Sequence, residues 1–168
     1  YRPEDAKLTP YSLEMYLLRY RTRAELVPTE RCCVIAADYD QLPPDDTPPV
    51  RGLIIDIPSV TGEIVQDKAG HRIQFACDQT SGGTPKNFAT YYIVQFESAW
   101  DSCEIEHHKD RNGADRQVLA VYFSPGKRLE SRIATSFISF DQAAFNLQQE
   151  LGTSTVEQLR ERGKTAWN

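Results

Sequence analysis

Residues 135–168 read TSFISFDQAAFNLQQELGTSTVEQLRERGKTAWN, and the change of period inside this stretch decides the fold. Its first residues complete a strand pattern: Leu129, Ser131, Ile133, Thr135 and Phe137 share one face, opposite Arg128, Glu130 and Arg132. From Phe140 the apolar positions move to helical spacing, with Ala143, Ala144, Leu147 and Leu151 following. Ser139 and Gln142 have the spacing of a capping box, and Gly152 is placed to stop the helix. Ser154 with Glu157 repeats the box, and Val156, Leu159, Gly163 and Ala166 make a second apolar stripe. The pattern predicts two helices of about twelve residues each, joined by GTS. Their apolar faces need a partner. Trp167 lies at the last turn, with one residue after it to cover it.

Upstream of this tail the period is two. YSLEMYLL (11–18) sets Tyr11, Leu13, Met15 and Leu17 against Ser12 and Glu14. RTRAELVP (21–28) alternates again, so the two form a hairpin, and ERCCVIAADY (30–39) follows as a third strand. DQLPPDDTPPV (40–50) carries four prolines and three aspartates, which can neither join a ladder nor continue a helix; it is a surface loop. RGLIIDI (51–57) predicts a short buried strand. GEIVQDKAGHRIQFAC (62–77) is a hairpin turning at DKAG, and FATYYIVQFE (88–97) has the aromatic and β-branched content of a central strand. SCEIEHH (102–108), QVLAVYFS (117–124) and KRLESRIATSFI (127–138) complete nine or ten short strands. The fold expected is mainly β, an antiparallel, supersandwich-like β-sandwich over 1–138, followed by two C-terminal α-helices over 139–168.

Composition narrows the function. With 19 basic and 24 acidic residues the net charge is −5, which speaks against nucleic-acid binding. No window approaches eighteen apolar residues, so no membrane span is expected, and YRPEDAKLTP (1–10) has no signal-peptide core. Cys32, Cys33, Cys77 and Cys103 match no zinc spacing; they read as small apolar residues, with a Cys77–Cys103 disulfide open in an oxidising compartment. His107 and His108, between Glu106 and Asp110, read as an exposed strand end, since neighbours on a strand point apart. DQTSGGTPKN lacks the strand–glycine–helix setting of a phosphate loop, and no G-x-S-x-G elbow occurs. Phe88, Tyr91, Tyr92 and Phe96 have the composition of a sugar platform, but alternate residues of a sandwich strand must face a core. The residues alone give a β-sandwich with a helical end and no catalytic constellation.

The tail nevertheless resembles a known segment. SFIS-x-x-x-A-x-x-NL-x-x-E is the form taken in glycoside hydrolase family 92, the exo-acting α-mannosidases, where a strand runs into a serine-capped helix. It is matched by Ser136 to Ser139, Ala143, Asn146, Leu147 and Glu150, and a second helix ending AW is matched by Ala166 and Trp167. The run Arg23 to Arg31 is similar to the family's T-A-E-L-T-x-T-x-R strand, and 87–101 and 118–139 resemble its aromatic and closing strands. The resemblance implies a β-sandwich, incomplete at its N-terminus, and a helical linker leading to an absent (α/α) barrel. It implies inverting hydrolysis of mannose-containing glycans, with α-1,2 the expected linkage, by two carboxyls about 6.5–9.5 Å apart. It further implies calcium in the parent enzyme and a periplasmic or secreted location. In the family the acid, the base and the calcium ligands belong to the barrel, so no catalytic or metal residue is assigned here, and this segment alone is expected to be inactive. Leu147, Leu151, Leu159 and Trp167 are expected to pack against the barrel. Two other readings fit the same pattern: a free-standing carbohydrate-binding module, or the N-domain of another sandwich-plus-barrel glycosidase or phosphorylase.

Overall fold

The computed structural model describes residues 3–39, 51–78, 83–85, 87–109, 111, 113 and 115–167. Eleven strands lie among them: β1 Lys7–Thr9, β2 Ser12–Leu17, β3 Thr22–Pro28, β4 Cys32–Tyr39, β5 Arg51–Pro58, β6 Val60–Asp67, β7 Arg72–Cys77, β8 Thr90–Phe96, β9 Ser102–Lys109, β10 Asp115–Phe123 and β11 Arg128–Ser136. Helix α1, Phe140–Asn146, runs on into a π-helical turn at Leu147–Leu151, and α2 spans Val156–Trp167. The strands form two antiparallel sheets, one of eight in the order β1-β2-β3-β4-β11-β8-β7-β6 and one of three, β5-β10-β9.

Alternation along the strands gives the large sheet two apolar faces, and each carries its own core. On one face Val27, Cys32, Val34, Ala36, Ile93 and Ala134 meet Ala143, Leu147, Leu151, Val156 and Leu159 of the helical tail. On the other, Ile73, Phe75, Val94, Phe96 and Leu129 meet Ile57, Leu119, Val121 and Phe123 of the small sheet. The result is three layers: helices, large sheet, small sheet. Strand thus gives way to helix after Phe137 and Ile138, but the helices and the sheet share a core. Burying each leucine of the tail stabilises this union by about 1.5–3 kcal/mol.

The chain changes sheets at Ser59. β5 belongs to the small sheet and β6 to the large, and Ser59 between them adopts φ 53°, a left-handed conformation rare outside glycine. Asp78 holds it in place: its amide donates to the Ser59 carbonyl at 3.1 Å, and its carboxylate accepts from the Ser59 hydroxyl.

Several expectations meet corrections here. Among the described residues β5 is an edge strand, buried at Ile57 but exposed at Ile54. The second helix is capped one residue later than the Ser154–Glu157 spacing predicts. The Gln158 amide donates to the Thr155 hydroxyl at 3.2 Å, and the Thr155 amide to the Gln158 side chain at 2.9 Å. Ser139 caps α1 as expected, accepting from the Gln142 amide at 3.1 Å, but the Gln142 side chain turns forward to Asn146. Gly152 follows the π-turn with φ 46°. The loop 40–50 lies outside the described residues, as do parts of 79–86.

Candidate interdomain face

The helical tail carries the residues that the sequence singles out, and it is fastened to the sandwich through three charged nodes and one buried asparagine. Glu150, in the π-turn, reaches the β3–β4 loop. Its carboxylate accepts from the Arg31 amide at 2.9 Å, from Arg31 Nε at 2.8 Å and from the Thr29 hydroxyl. Burial would raise its pKa; the donors of Arg31 and Thr29 outweigh burial and hold the carboxyl below the usual range. Asn146, buried in α1, donates to the Thr135 carbonyl at 2.8 Å and accepts from Gln142 at 3.0 Å. It joins helix to strand at the point where β11 ends.

Arg132 is the second node. From the helix-facing side of β11 it donates to the carbonyls of Gly152 at 3.0 Å and Ser154 at 2.8 Å, and to Glu130 at 2.8 Å. Gly152 caps the C-terminal end of the π-turn, where carbonyls lack partners within the helix and carry negative partial charge that a guanidinium satisfies, and Ser154 lies in the turn before α2. Arg160 is the third. It bridges α2 to Glu25 of β3 and to Glu157, with Glu14 of β2 3.9 Å away. Among the described residues its Nε is the only buried side-chain nitrogen or oxygen without a hydrogen-bond partner.

Of the four residues expected to face a neighbouring domain, three turn inward. Leu147, Leu151 and Leu159 are 9%, 1% and 1% exposed and belong to the core beneath the helices. Their apolar stripe is covered by the chain's own large sheet. Trp167 is 67% exposed at the end of α2. Between α2 and the sheet lies an open groove of about 580 Å³, with Trp167, Ala166 and Leu159 on one wall and Pro10, Tyr11 and Pro28 on the other. Gly163 lets these walls meet: a Cβ there would lie 2.8 Å from Tyr11 Cβ. Phe137 and Ile138, just before α1, and Phe145, near its end, are exposed as well.

The remaining candidate groups do not assemble a reactive centre. His108 pairs with Glu106 at 3.1 Å on the exposed edge strand β9, while His107 projects to the opposite face. No group of three or more His, Cys, Asp or Glu side chains among the described residues is placed to hold a metal. The partly buried carboxylates of Glu25, Glu130 and Glu150 are each held by an arginine. The four cysteines are free. Cys77 donates to the Pro58 carbonyl at 2.6 Å, and burial, reinforced by nearby Glu150, pushes the Cys32 thiol up to about 12. The aromatic strand forms no sugar platform. Phe96 packs on Trp100 and Phe123, Tyr92 stacks on Phe75 at 5.0 Å, Tyr91 meets Phe140 edge-on, and Phe88 meets Phe137.

Comparison with known proteins finds this architecture in solved structures. An inverting family GH92 mannosidase from Bacteroides thetaiotaomicron matches with TM-score 0.83 and 21% identity, over 99% of this chain and 23% of that one. A family GH92 α-mannosidase from the same organism, solved in complex with mannoimidazole, matches with TM-score 0.76 and 17% identity over 99% of this chain and 23% of its own. A GH92 family glycosyl hydrolase, ccman5, matches with TM-score 0.67 and 18% identity, over 99% and 24%. No family model and no curated protein matches the sequence. The chain therefore has the fold of a part of these enzymes, spanning less than a quarter of their length.

Proposed function

We propose that this chain is the N-terminal, non-catalytic sandwich and helical linker of an exo-acting α-mannosidase, and that the rest of that enzyme follows the linker. The carrying observation is the agreement of the fold with family GH92 structures over 99% of the chain at a TM-score up to 0.83. It is supported by the pairing of Arg31 with Glu150, which joins in space the two stretches on which the sequence resemblance rests. The sandwich positions the linker, and Trp167 at its end is the contact offered to a catalytic (α/α) barrel.

On this reading the whole enzyme removes terminal mannose, in α-1,2 linkage, from glycans in the periplasm or outside the cell, with inversion. Its acid and base lie outside these residues. Calcium, which the resemblance implies, finds no fitting set of ligands among the described residues, so no role in binding it is assigned to them.

The test is hydrolysis of an aryl α-mannoside by the protein of the full reading frame and by residues 1–168 alone. Turnover by the first and none by the second is expected, with β-mannose as the first-formed anomer by proton NMR. Turnover by residues 1–168, or none by the full protein on aryl mannosides and α-linked mannobioses, overturns the proposal.

A further inference from the structure

The helices lie beyond the large sheet, so among the described residues the outer face of the small sheet has no layer over it. Leu119, Val121 and Phe123 of β10 point into the core between the sheets, and Ala120 and Tyr122 therefore point outward. Register sets their neighbours. Ser102, Tyr122 and Gly52 form one row across β9, β10 and β5, and Glu104, Ala120 and Ile54 form the next. Tyr122 does not stand off the sheet. Its Cδ1 and Cε1 lie 3.5 and 3.9 Å from where a Cβ on Gly52 would be, so the ring leans over the neighbouring strand. Glycine leaves the ring a place to rest, and the ring covers backbone that glycine leaves bare. One side of the phenol lies toward the sheet and the other faces outward.

Polar groups stand beside the ring on the β9 side. Ser102 is directly opposite it, Glu104 is one diagonal step away, and both are exposed. Directly opposed residues lie about 5 Å apart and diagonal ones about 7–8 Å, so a sugar ring resting on Tyr122 reaches both. Glu104 has neither a hydrogen bond nor an ion pair among the described residues. The neighbouring carboxylates on this face are matched: Glu106 is hydrogen-bonded to His108, and Asp56 holds Arg116 through two bonds. What fits is uncharged, apolar on one side and rich in hydroxyl donors. The C–H bonds of a sugar are drawn to the negative face of an aromatic ring, and its hydroxyls donate to a carboxylate. Glu104 and Glu106 repel a phosphate backbone. A protein partner needs about 800 Å² around an apolar centre, whereas the centre here is Gly52 and Ala120.

We propose that Tyr122, Ser102 and Glu104 form a carbohydrate-binding subsite on the outer face of the small sheet, where one sugar unit of a polysaccharide lies on the Tyr122 ring and donates hydroxyls to Glu104. The choice of mannose as that sugar rests on the function proposed above; the subsite itself rests on the sheet face. Bound there, a polysaccharide is held by a surface that does no chemistry on it.

Native electrophoresis of the full-reading-frame protein through gels containing α-mannan, β-glucan or galactan tests it. Retardation by α-mannan is expected. Tyr122→Ala should raise the Kd about tenfold, as removal of an aromatic anchor does, while Tyr122→Phe keeps the ring and should change it by less than about twofold. Glu104→Gln, at an exposed position, should weaken binding several-fold at an unchanged urea midpoint, which separates lost contact from lost fold. Turnover of an aryl α-mannoside should be the same in all three variants. No retardation of the wild type by any of the polysaccharides overturns the proposal, as does equal retardation of wild type, Tyr122→Ala and Glu104→Gln. Binding of an oligolysine peptide that Glu104→Gln abolishes, in a protein that no polysaccharide retards, overturns it too and gives the face to a basic partner. The two proposals fail separately. Tyr122-dependent retardation by β-glucan or galactan in a protein inactive on α-mannosides keeps the subsite and removes the mannosidase reading. An active protein whose retardation ignores Tyr122 and Glu104 does the reverse.

Discussion

Glu150 and Arg31 meet across 119 residues of sequence, the carboxylate taking both the amide and the Nε of one arginine. Together with the Thr29 hydroxyl the pair ties the π-turn to the β3–β4 loop, and the Glu150 side chain is 11% exposed. The Arg31 side chain is 50% exposed, so the joint between tail and sandwich rests on the sheltered carboxylate and on the hydroxyl and backbone amide that also donate to it.

Glu150→Gln keeps the shape of the side chain and removes its charge. A charge-assisted hydrogen bond contributes about 1.5–3 kcal/mol, so the variant should lose roughly that much stability, read as a lower urea midpoint at unchanged slope. The pH dependence has a definite sign. The folded-state pKa of Glu150 lies below its ordinary value of 4.5, so its contribution is present above that value and is lost as pH falls through the lower, folded one. Wild-type stability should therefore fall more steeply than that of Glu150→Gln below about pH 4.5. Parallel pH profiles would show that the carboxylate is not held as described.

Gly163 sits in the second apolar stripe, where intrinsic preference and packing disagree. Alanine in a helix interior is favoured over glycine by about 1 kcal/mol. Here its Cβ would lie 2.8 Å from Tyr11 Cβ, an atom fixed to the backbone of the β1–β2 turn. The clash outweighs the propensity, and Gly163→Ala should lower the melting temperature. A rise would mean that α2 and Tyr11 can separate without loss.

The thiols give a third expectation. Burial pushes Cys33 up to about 11 and Cys32 to about 12, so neither is a thiolate near neutral pH. In the native protein at pH 8 these two should react slowly with a disulfide reagent, and all four cysteines should react once it is unfolded. Fewer than four under non-reducing denaturation would reveal a bridge, Cys77–Cys103 being the pair open from sequence.

Much of this architecture is written locally. Period two over 11–28 placed β2 and β3 within a residue or two, because a half-buried strand must alternate. The aromatic run at 88–97 marked β8, which lies between β11 and β7 inside the large sheet. What the sequence could not carry is which layer receives each face. The stripe Leu147, Leu151, Leu159 announced a partner without naming it, and the partner is the sheet of the same chain. The short β1, Lys7–Thr9, has too few residues to show a period. The second cap lies one residue beyond the Ser154–Glu157 spacing because STVEQ offers two hydroxyls and two acceptors in adjacent registers. Arg31 and Glu150 were marked only as matches to a pattern; their pairing needs tertiary geometry that spacing cannot give.

Trp167 and Leu159 share a helix but differ in what they touch, and that difference can be measured. Leu159→Ala opens a cavity beneath α2 and should cost about 2–5 kcal/mol in residues 1–168 and in the full protein alike. Trp167, 67% exposed, has little to lose in the isolated chain, where Trp167→Ala should change stability by no more than about 0.5 kcal/mol. If its indole is the linker's contact with a catalytic domain, the same substitution in the full-reading-frame protein should cost several times more, because a large aromatic buried at an interface behaves as an anchor. Its fluorescence should shift to shorter wavelength in the longer protein, with Trp100→Phe used to isolate the signal. Equal effects in both contexts, with an unshifted emission, would leave the end of α2 in solvent and remove the contact proposed for Trp167.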